Sequence, residues 1–229
     1  MNPRRIRVWD LPVRLVHWLL LVLVVAAAIT ANIGGNAMIW HGRIGQMILG
    51  LIAFRVLWGL VGSTTARFSH FVRGPGAVID YLNGRWKGVG HNPLGALSVL
   101  ALLAVIGAQA VTGLFTTDDI DFNGPLRRAV SATASAPLSG WHRQAQWLLY
   151  GLVALHVLAV LVYQLVRKDD LIGPMVTGKR GVTDPEAEGI RGGSLGALLA
   201  AATIAGLVVW ISGGSWLPEP PAPPPDLGW

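Results

Sequence analysis

Four histidines lie inside long apolar stretches of the sequence, where imidazole side chains are uncommon. They are His17, His41, His142 and His156. A strongly coordinating group inside a hydrophobic span is costly, so each is a candidate for a functional role. The alternative use of any single one is a hydrogen bond to a neighbouring helix. Imidazole is a common metal ligand, so the chemistry that these residues predict is metal coordination.

Five apolar stretches that are long enough to cross a bilayer as helices would have to position these histidines. They cover about residues 14–33, 40–62, 94–115, 141–167 and 194–212. With 52% hydrophobic and 13% charged residues, the chain has too little polar surface for a water-soluble domain. The first stretch could instead be a signal peptide, but Arg14, His17 and Trp18 inside it favour a span. The predicted fold class is all-α integral membrane, embedded in the lipid bilayer.

The spacing of the histidines predicts two pairs at two depths. His142 and His156 are 14 residues apart in the fourth span, so they share one helix face about 21 Å apart along the axis. His41 begins the second span at the end where His142 lies. His17 lies in the first span toward the end that holds His156. Each pair would therefore join the fourth span to a different partner helix.

Each pair suits haem better than a bare metal ion. Two imidazoles in a chain without cysteine are too few ligands for a closed tetrahedral zinc site. A porphyrin already supplies four nitrogens, so two axial histidines complete the coordination. We therefore predict a four-helix diheme bundle plus an accessory fifth transmembrane helix. Small residues would give the porphyrins room between helices: Gly42, Gly45, Gly50, Gly140, Gly151 and Ala26 to Ala28.

Three arginines are candidates to pair with haem propionates. Arg55 follows His41 by 14 residues and so lies on the same face of the second span. This places it at the depth of the haem predicted between His17 and His156, which we call the inner haem. A charge that deep is costly unless it is paired, which favours a propionate partner over snorkelling to the interface. Arg14 and Arg143 stand beside proposed ligands near the two ends, where water can reach them, so they are weaker candidates.

The basic residues predict the orientation of the chain. Thirteen of the 18 lysines and arginines fall on the side of the membrane on which the N-terminus lies. By the positive-inside rule, the N-terminus is cytoplasmic and the C-terminus periplasmic, in a bacterial inner membrane. The net charge of +6 forms no patch, so we expect no binding of nucleic acid. The predicted regions are a four-helix core (1–178), a cytoplasmic linker expected to be a flexible hinge (179–193), the fifth helix (194–212) and a proline-rich tail (213–229).

Several motifs together resemble a known family. They are VWDLPVRLVHW from Val8, HGRIG from His41, RVLWG from Arg55, GHNPLG from Gly90, TGLF from Thr112, and the helix with His142 and His156. Over about residues 5–180 the chain resembles the bacterial cytochrome b561 family, in particular the branch with the b-type cytochrome subunit of nickel–iron hydrogenases. The resemblance implies two b-type haems with bis-histidine ligation by the four histidines, and electron exchange between a membrane quinone and a periplasmic partner.

The resemblance also gives His91 a role. It places His91 near the inner haem, where a bound quinone would need a hydrogen-bond donor and a proton route. The alternative is that this motif only starts a helix, with Asn92 as its N-cap and Pro93 in its first turn. His70 is a weaker candidate, because residues 67–73 are typical of an amphipathic interfacial loop.

Three classes of function fit these observations unequally. The leading class is an electron-transfer subunit whose partner is a c-type cytochrome or a dehydrogenase or hydrogenase subunit, docked on the long outer connection 116–140. The second is a stand-alone enzyme such as a superoxide:quinone oxidoreductase. Arg127 and Arg128 would then steer an anion, which Asp118, Asp119 and Asp121 oppose. A scaffold or transporter is disfavoured because it leaves the four histidines unexplained.

Overall fold

Helices dominate the chain in the computed structural model, which describes residues 4–86, 88, 90–118, 120, 122–182 and 187–218. Lys87, Asp119, Asp121 and the part of the predicted tail beyond Pro218 lie outside the described residues. Five of the described helices are long and apolar enough to cross a membrane. The predicted all-helical membrane fold is confirmed.

The elements follow one another in the order β1 (Arg4–Arg7), α1 (Leu11–Ile33), α2 (Ala37–Val61), α3 (Phe68–Phe71), α4 (Pro75–Leu82), α5 (Pro93–Gly113), α6 (Ala132–Leu161), α7 (Ile172–Thr177), β2 (Lys179–Val182) and α8 (Leu195–Ser212). Short 3-10 turns cover Thr64–Ala66 and Arg127–Ala129, and α6 continues as a π-helical turn over Val162–Val166. The membrane spans are α1, α2, α5, α8 and α6 with its π turn. We call the end at which α1 begins the inner end and the opposite end the outer end.

Polar caps decide where four of the spans begin. The side chains of Asp10, Asn92, Ser131 and Ser194 each accept a hydrogen bond from the backbone N–H three residues later, which satisfies one of the free donors of a first helical turn. The cap at Ser131 starts α6 nine residues before the predicted position 141, with Pro137 included in the helix. Part of the predicted outer connection 116–140 is therefore helical.

The spans are arranged in an arc. α1 packs on α2, α2 on α5, and α5 on α6, while α8 packs on another side of α2. Ile44, Ile48, Ile52 and Ile106 form the apolar centre together with Ala110 and Leu149. Within the described residues, α1 and α6 are not among the closely packed pairs. The arc is thus open between its first and last helices, and we call this gap the α1–α6 seam.

A two-stranded ribbon at the inner end joins the segment before α1 to the segment after α7. β1 pairs antiparallel with β2, so that Ile6 lies opposite Arg180. The ribbon and the segment after it pack on a small cluster that includes Val8 and Trp58, and Ile190 N–H donates to Arg7 O at 2.9 Å. Part of the segment that the sequence predicts as a flexible hinge is therefore a strand, because Ile6 and its neighbours need apolar cover at this end.

Asp10 ties the start of α1 to the end of α2. Its carboxylate accepts hydrogen bonds from Val13 N–H at 2.8 Å, Trp58 Nε1 at 2.8 Å and Ser63 Oγ at 2.5 Å. The side chain is buried, and the three donors provide the hydrogen bonds that a buried carboxylate requires. This junction fixes the inner ends of the two helices that carry His17 and His41.

Candidate functional site

Two pairs of histidine rings meet inside the bundle. His41 of α2 and His142 of α6 have ring centroids 6.0 Å apart, and His17 of α1 and His156 of α6 have centroids 6.4 Å apart. Two imidazoles that bind one metal from opposite sides, with bonds of about 2 Å, have centroids about 6 Å apart. These are the two pairs that the spacing predicts. Within the described residues, no group of three or more histidine, cysteine or acidic side chains could hold a metal ion by itself.

Main-chain carbonyls orient the outer pair. His41 Nδ1 lies 3.0 Å from Ala27 O, and His142 Nδ1 lies 3.0 Å from Gln109 O. A carbonyl only accepts hydrogen bonds, so Nδ1 of each ring is the protonated nitrogen. Nε2 then keeps its lone pair, which is the form of imidazole that binds a metal.

The inner pair has weaker support at the same ring position. His156 Nδ1 faces the hydroxyl of Ser98 at 3.4 Å, and a hydroxyl can donate as well as accept. His17 Nδ1 is buried without a hydrogen-bond partner in the described part of the chain. The ring of His17 packs edge-on against Trp18, with centroids 5.1 Å apart. The two pairs therefore consist of the same side chains and differ in the groups behind the rings.

A cavity of about 410 Å³ lies beside the outer pair, bounded by α1, α2, α5 and α6. Its volume is within the usual range of cofactor sites. A side chain at Gly45, which lines the cavity one turn beyond His41, would meet no atom within 4 Å. Phe122 closes one edge against Gly42, because a side chain there would lie 3.4 Å from its ring. The residues present thus fit a flat group of porphyrin size between His41 and His142.

The other small residues differ in what they face. A side chain at Gly50 would run into Val209 of α8, so this glycine permits the contact between α2 and α8. Side chains at Gly140 and Gly151 would meet no atom within 4 Å. Of the glycines that the sequence connects with haem, Gly45 has the clearest place at the cavity.

The three arginines occupy different surroundings. Arg55 is buried at the inner end, where Nη1 donates to Ala66 O at 3.2 Å and the guanidinium lies 5.2 Å from the centroid of the Phe68 ring. Arg14 donates to the carbonyls of Met175 and Val176, which ties α1 to α7. Arg143 is exposed and lines the outer cavity.

His91 lies between two aromatic rings at the inner end. Its ring centroid is 4.5 Å from that of Trp9 and 4.5 Å from that of Phe71. Burial lowers the pKa of His91 to about 3, and the charges of Arg55 and His17 act in the same direction. Nδ1 is buried without a hydrogen-bond partner within the described residues. The cap on α5 explains Asn92, whose side chain accepts from Gly95 N–H at 2.7 Å, but it does not explain a buried neutral imidazole.

The comparison with known proteins adds the family. The model of the family described as prokaryotic cytochrome b561 matches residues 8–178, which include all four paired histidines, His91 and Arg55. The chain belongs to the prokaryotic cytochrome b561 family. It is a b-type cytochrome, a multi-pass bacterial membrane protein of electron transfer that holds haem b.

Two curated relatives of this cytochrome are proteins of Escherichia coli strain K12 and of Escherichia coli O157:H7. Both are named "Probable Ni/Fe-hydrogenase 1 B-type cytochrome subunit". Each is 22% identical over 212 residues, covering 76% of this chain and 89% of the relative. No solved structure matches the chain.

Two residues of the cytochrome's sites are missing from the predictions made from the sequence. Gln109 contacts His142 from α5, and its amide in the middle of an apolar span was a signal that could have found it. Asp10 was visible only as part of the tryptophan–aspartate–proline motif.

His70, Arg127 and Arg128 were the residues of two weaker predictions, a functional role for His70 and the steering of an anion by the two arginines. His70 lies on α3 with an exposed side chain. Arg127 Nη1 donates to Val130 O and Arg128 Nη1 to Pro218 O, both at 3.1 Å. The guanidinium groups of the outer connection are thus bound to main-chain carbonyls, which gives no specific support to an anion-steering enzyme.

Proposed function

We propose that this cytochrome carries electrons across the bacterial inner membrane through two b-type haems, the outer one bound by His41 and His142 and the inner one by His17 and His156. The observation that carries the proposal is the separation of the ring centroids within each pair, 6.0 Å and 6.4 Å. A single helix, α6, supplies one histidine to each pair. A bound b-type haem supplies a one-electron redox centre. The two histidines of each pair would hold the haem between their helices and set its depth in the bundle.

The inner end is proposed to exchange electrons with a membrane quinone. His91 is a buried, neutral imidazole between two aromatic rings, so it offers a flat ring a polar contact in apolar surroundings. Its unpartnered Nδ1 can donate to a quinone carbonyl or accept from a quinol hydroxyl, depending on the tautomer. Arg55 lies near enough for its charge to act on His91, and we propose a haem propionate as a further partner of its guanidinium. Arg14 and Arg143 remain weaker candidates for such pairing.

The outer end is proposed to face the periplasm and a redox partner there. The excess of basic residues at the inner end supports a cytoplasmic N-terminus and a periplasmic C-terminus. The name of the E. coli relatives supports a hydrogenase subunit as the partner, ahead of a c-type cytochrome. We also propose that residues 1–178 form the core, 179–193 a cytoplasmic linker, 194–212 the fifth helix and 213–229 a periplasmic tail.

The decisive experiment is a reduced-minus-oxidised visible spectrum of the purified protein, combined with haem analysis. We expect a b-type α band and two haems per chain. His41→Ala should lower the ratio to one, whereas His70→Ala, which changes an exposed histidine on α3, should leave it at two. A ratio of one in the unaltered protein would contradict the two-haem proposal.

The proposed partner side is tested by removing the tail. Truncation after Pro218 keeps the bond from Arg128 to Pro218 O, so the outer connection stays as it is. Both haems should be retained, and co-purification with the periplasmic partner should weaken, since a stiff proline-rich segment loses little entropy when it docks. Undiminished association would assign docking to the outer connection alone.

A further inference from the structure

Gln109 and His142 are joined by two hydrogen bonds that run in opposite directions. The side-chain amide of Gln109 donates from Nε2 to His142 O at 2.8 Å. In return, the His142 ring has Nδ1 3.0 Å from Gln109 O. Gln109 lies in the apolar span α5 and lines the outer cavity, so its polar side chain has a local partner in α6.

The two hydrogen bonds have different roles. The side-chain bond fixes the main chain of α6 at His142 relative to α5. The ring bond depends on that placement, since its acceptor is on α5 and its donor on α6. Gly113 lets the ring approach α5, because a side chain there would lie 2.9 Å from His142 Cε1. The ring is thus held against α5 by a close approach and by the hydrogen bond to Gln109 O, and the hydroxyl of Thr112 on α5 also lies 3.3 Å from Nδ1.

The free end of the Gln109 side chain shows which of its atoms matters. Oε1 is buried and has no hydrogen-bond partner within the described residues. A buried unpaired carbonyl oxygen is unfavourable, and an apolar side chain of similar length would avoid it. The amide is therefore accounted for by the donation from Nε2 to His142 O.

We infer that Gln109 is a positioning residue for the outer haem: by holding the main chain of His142, its amide keeps His142 Nδ1 bonded to Gln109 O. The inference rests on the proposed ligation by His142. An imidazole that donates a firm Nδ1 hydrogen bond is a more basic metal ligand, and it stabilises the oxidised iron. Gln109 therefore lowers the reduction potential of the outer haem without touching the metal.

Gln46 provides a matched control. Its Nε2 donates to Ser212 O at 3.3 Å and ties α2 to α8 by the same kind of bond between a glutamine and a main-chain carbonyl. Neither partner of that bond is a histidine. Gln46→Leu therefore measures what the loss of one such tie between helices does to the protein.

The test compares Gln109→Leu and Gln46→Leu by redox titration and by the low-spin electron paramagnetic resonance signals of the two haems. In Gln109→Leu the outer haem's reduction equilibrium should shift about tenfold toward the reduced state, which is about 59 mV for one electron. Its resonance signal should change as well. The inner haem should keep its potential and signal. Gln46→Leu should alter neither haem.

Unchanged potential and signal of the outer haem in Gln109→Leu would overturn the inference, and so would an equal shift in Gln46→Leu. Loss of the outer haem alone would support it. If both haems are lost, Gln109→Met, which keeps an unbranched chain of similar length, decides by the same two measurements. His142→Ala separates this inference from the proposed ligation: a full complement of haem in that variant contradicts the ligation itself, whatever Gln109 does.

Discussion

The outer and inner histidine pairs consist of the same side chains but differ in the groups behind the rings. Each outer ring has its Nδ1 3.0 Å from a main-chain carbonyl, on Ala27 for His41 and on Gln109 for His142. At the inner end, His156 faces a hydroxyl at 3.4 Å, and His17 Nδ1 has no partner among the described residues. α6 contributes one histidine to each pair. The groups that face the ring nitrogens lie on α1, which supplies Ala27 O, and on α5, which supplies Gln109 O and the Ser98 hydroxyl. Ligand identity alone therefore does not fix the chemistry of a site.

The difference sets a direction for the proposed electron path. More basic ligands stabilise oxidised iron, so the outer pair favours a lower reduction potential than the inner pair. Transfer from the outer to the inner end is then favourable. That direction agrees with a donor at the outer end and with His91, the candidate quinone contact, at the inner end.

The largest expected effect is the loss of one haem at a time. His142→Ala and His41→Ala should both remove the outer haem, and His156→Ala and His17→Ala the inner one, because a bis-imidazole site loses most of its affinity with either ligand. Haem analysis should fall from two to one per chain, and a redox titration identifies the component that remains. If His41→Ala and His156→Ala lost the same component, the pairing would be wrong.

A smaller effect is expected at Arg55. Arg55→Leu removes a buried cation at the inner end and should reduce the occupancy of the inner haem or lower its reduction potential, because a nearby positive charge stabilises the reduced state, by roughly tenfold in affinity or in the reduction equilibrium. Arg55→Lys should retain part of the effect of the charge. Arg143→Leu is the matched change at the outer cavity and should leave the inner haem unaltered. Full occupancy with an unchanged inner potential would leave Ala66 O and the Phe68 ring as the functional partners of Arg55.

The two potentials themselves test the comparison. A redox titration of the unaltered protein should show two one-electron components whose equilibrium constants differ by about tenfold, or about 59 mV. The component of lower potential should be the one that His142→Ala abolishes. If His142→Ala instead abolished the component of higher potential, the hydrogen bonds behind the rings would not set the order.

A further effect, on stability rather than on the haems, concerns pH. Burial holds the pKa of His91 at about 3, whereas an unfolded chain titrates near 6.5. Below pH 6.5 the unfolded state therefore binds one more proton, and stability should fall as the pH drops toward 3, by at most about tenfold per pH unit. His91→Gln should reduce the difference in thermal stability between pH 5 and pH 7.5, as followed by loss of the haem absorbance. His70→Gln, at an exposed site, should retain the full difference, and equal behaviour of the two variants would show that His91 is not the group responsible.

Much of the membrane core could be predicted from the sequence, because hydropathy and helical spacing are local properties. Four histidines at matched depths lead to the two pairs without knowledge of side-chain rotamers. The start of α6 was misplaced because Ala132 to Gly140 is less apolar than the rest of the helix, although the cap at Ser131 marks it. The partners of the rings could not be predicted, since Gln109 and His142 meet only after α5 and α6 have packed.

The pairing of β1 with β2 could not be predicted from the sequence either. Four-residue strands far apart in the chain carry no alternation strong enough to identify them, and only Ile6 is clearly buried in β1. The segment around β2 is rich in glycine and charge, which is typical of a linker.

The ribbon has a consequence for assembly. It joins residues 4–7 to residues 179–182, a contact between positions far apart in the chain, whereas α1 and α2 are joined directly through residues 34–36. Such a long loop closes late, because its entropy must be given up before the contact can form. During synthesis β1 cannot pair until β2 has emerged, and β2 follows every helix of the core. Pairing of the ribbon is therefore a completion step, and a protease site placed in β1 would report how many chains have passed it.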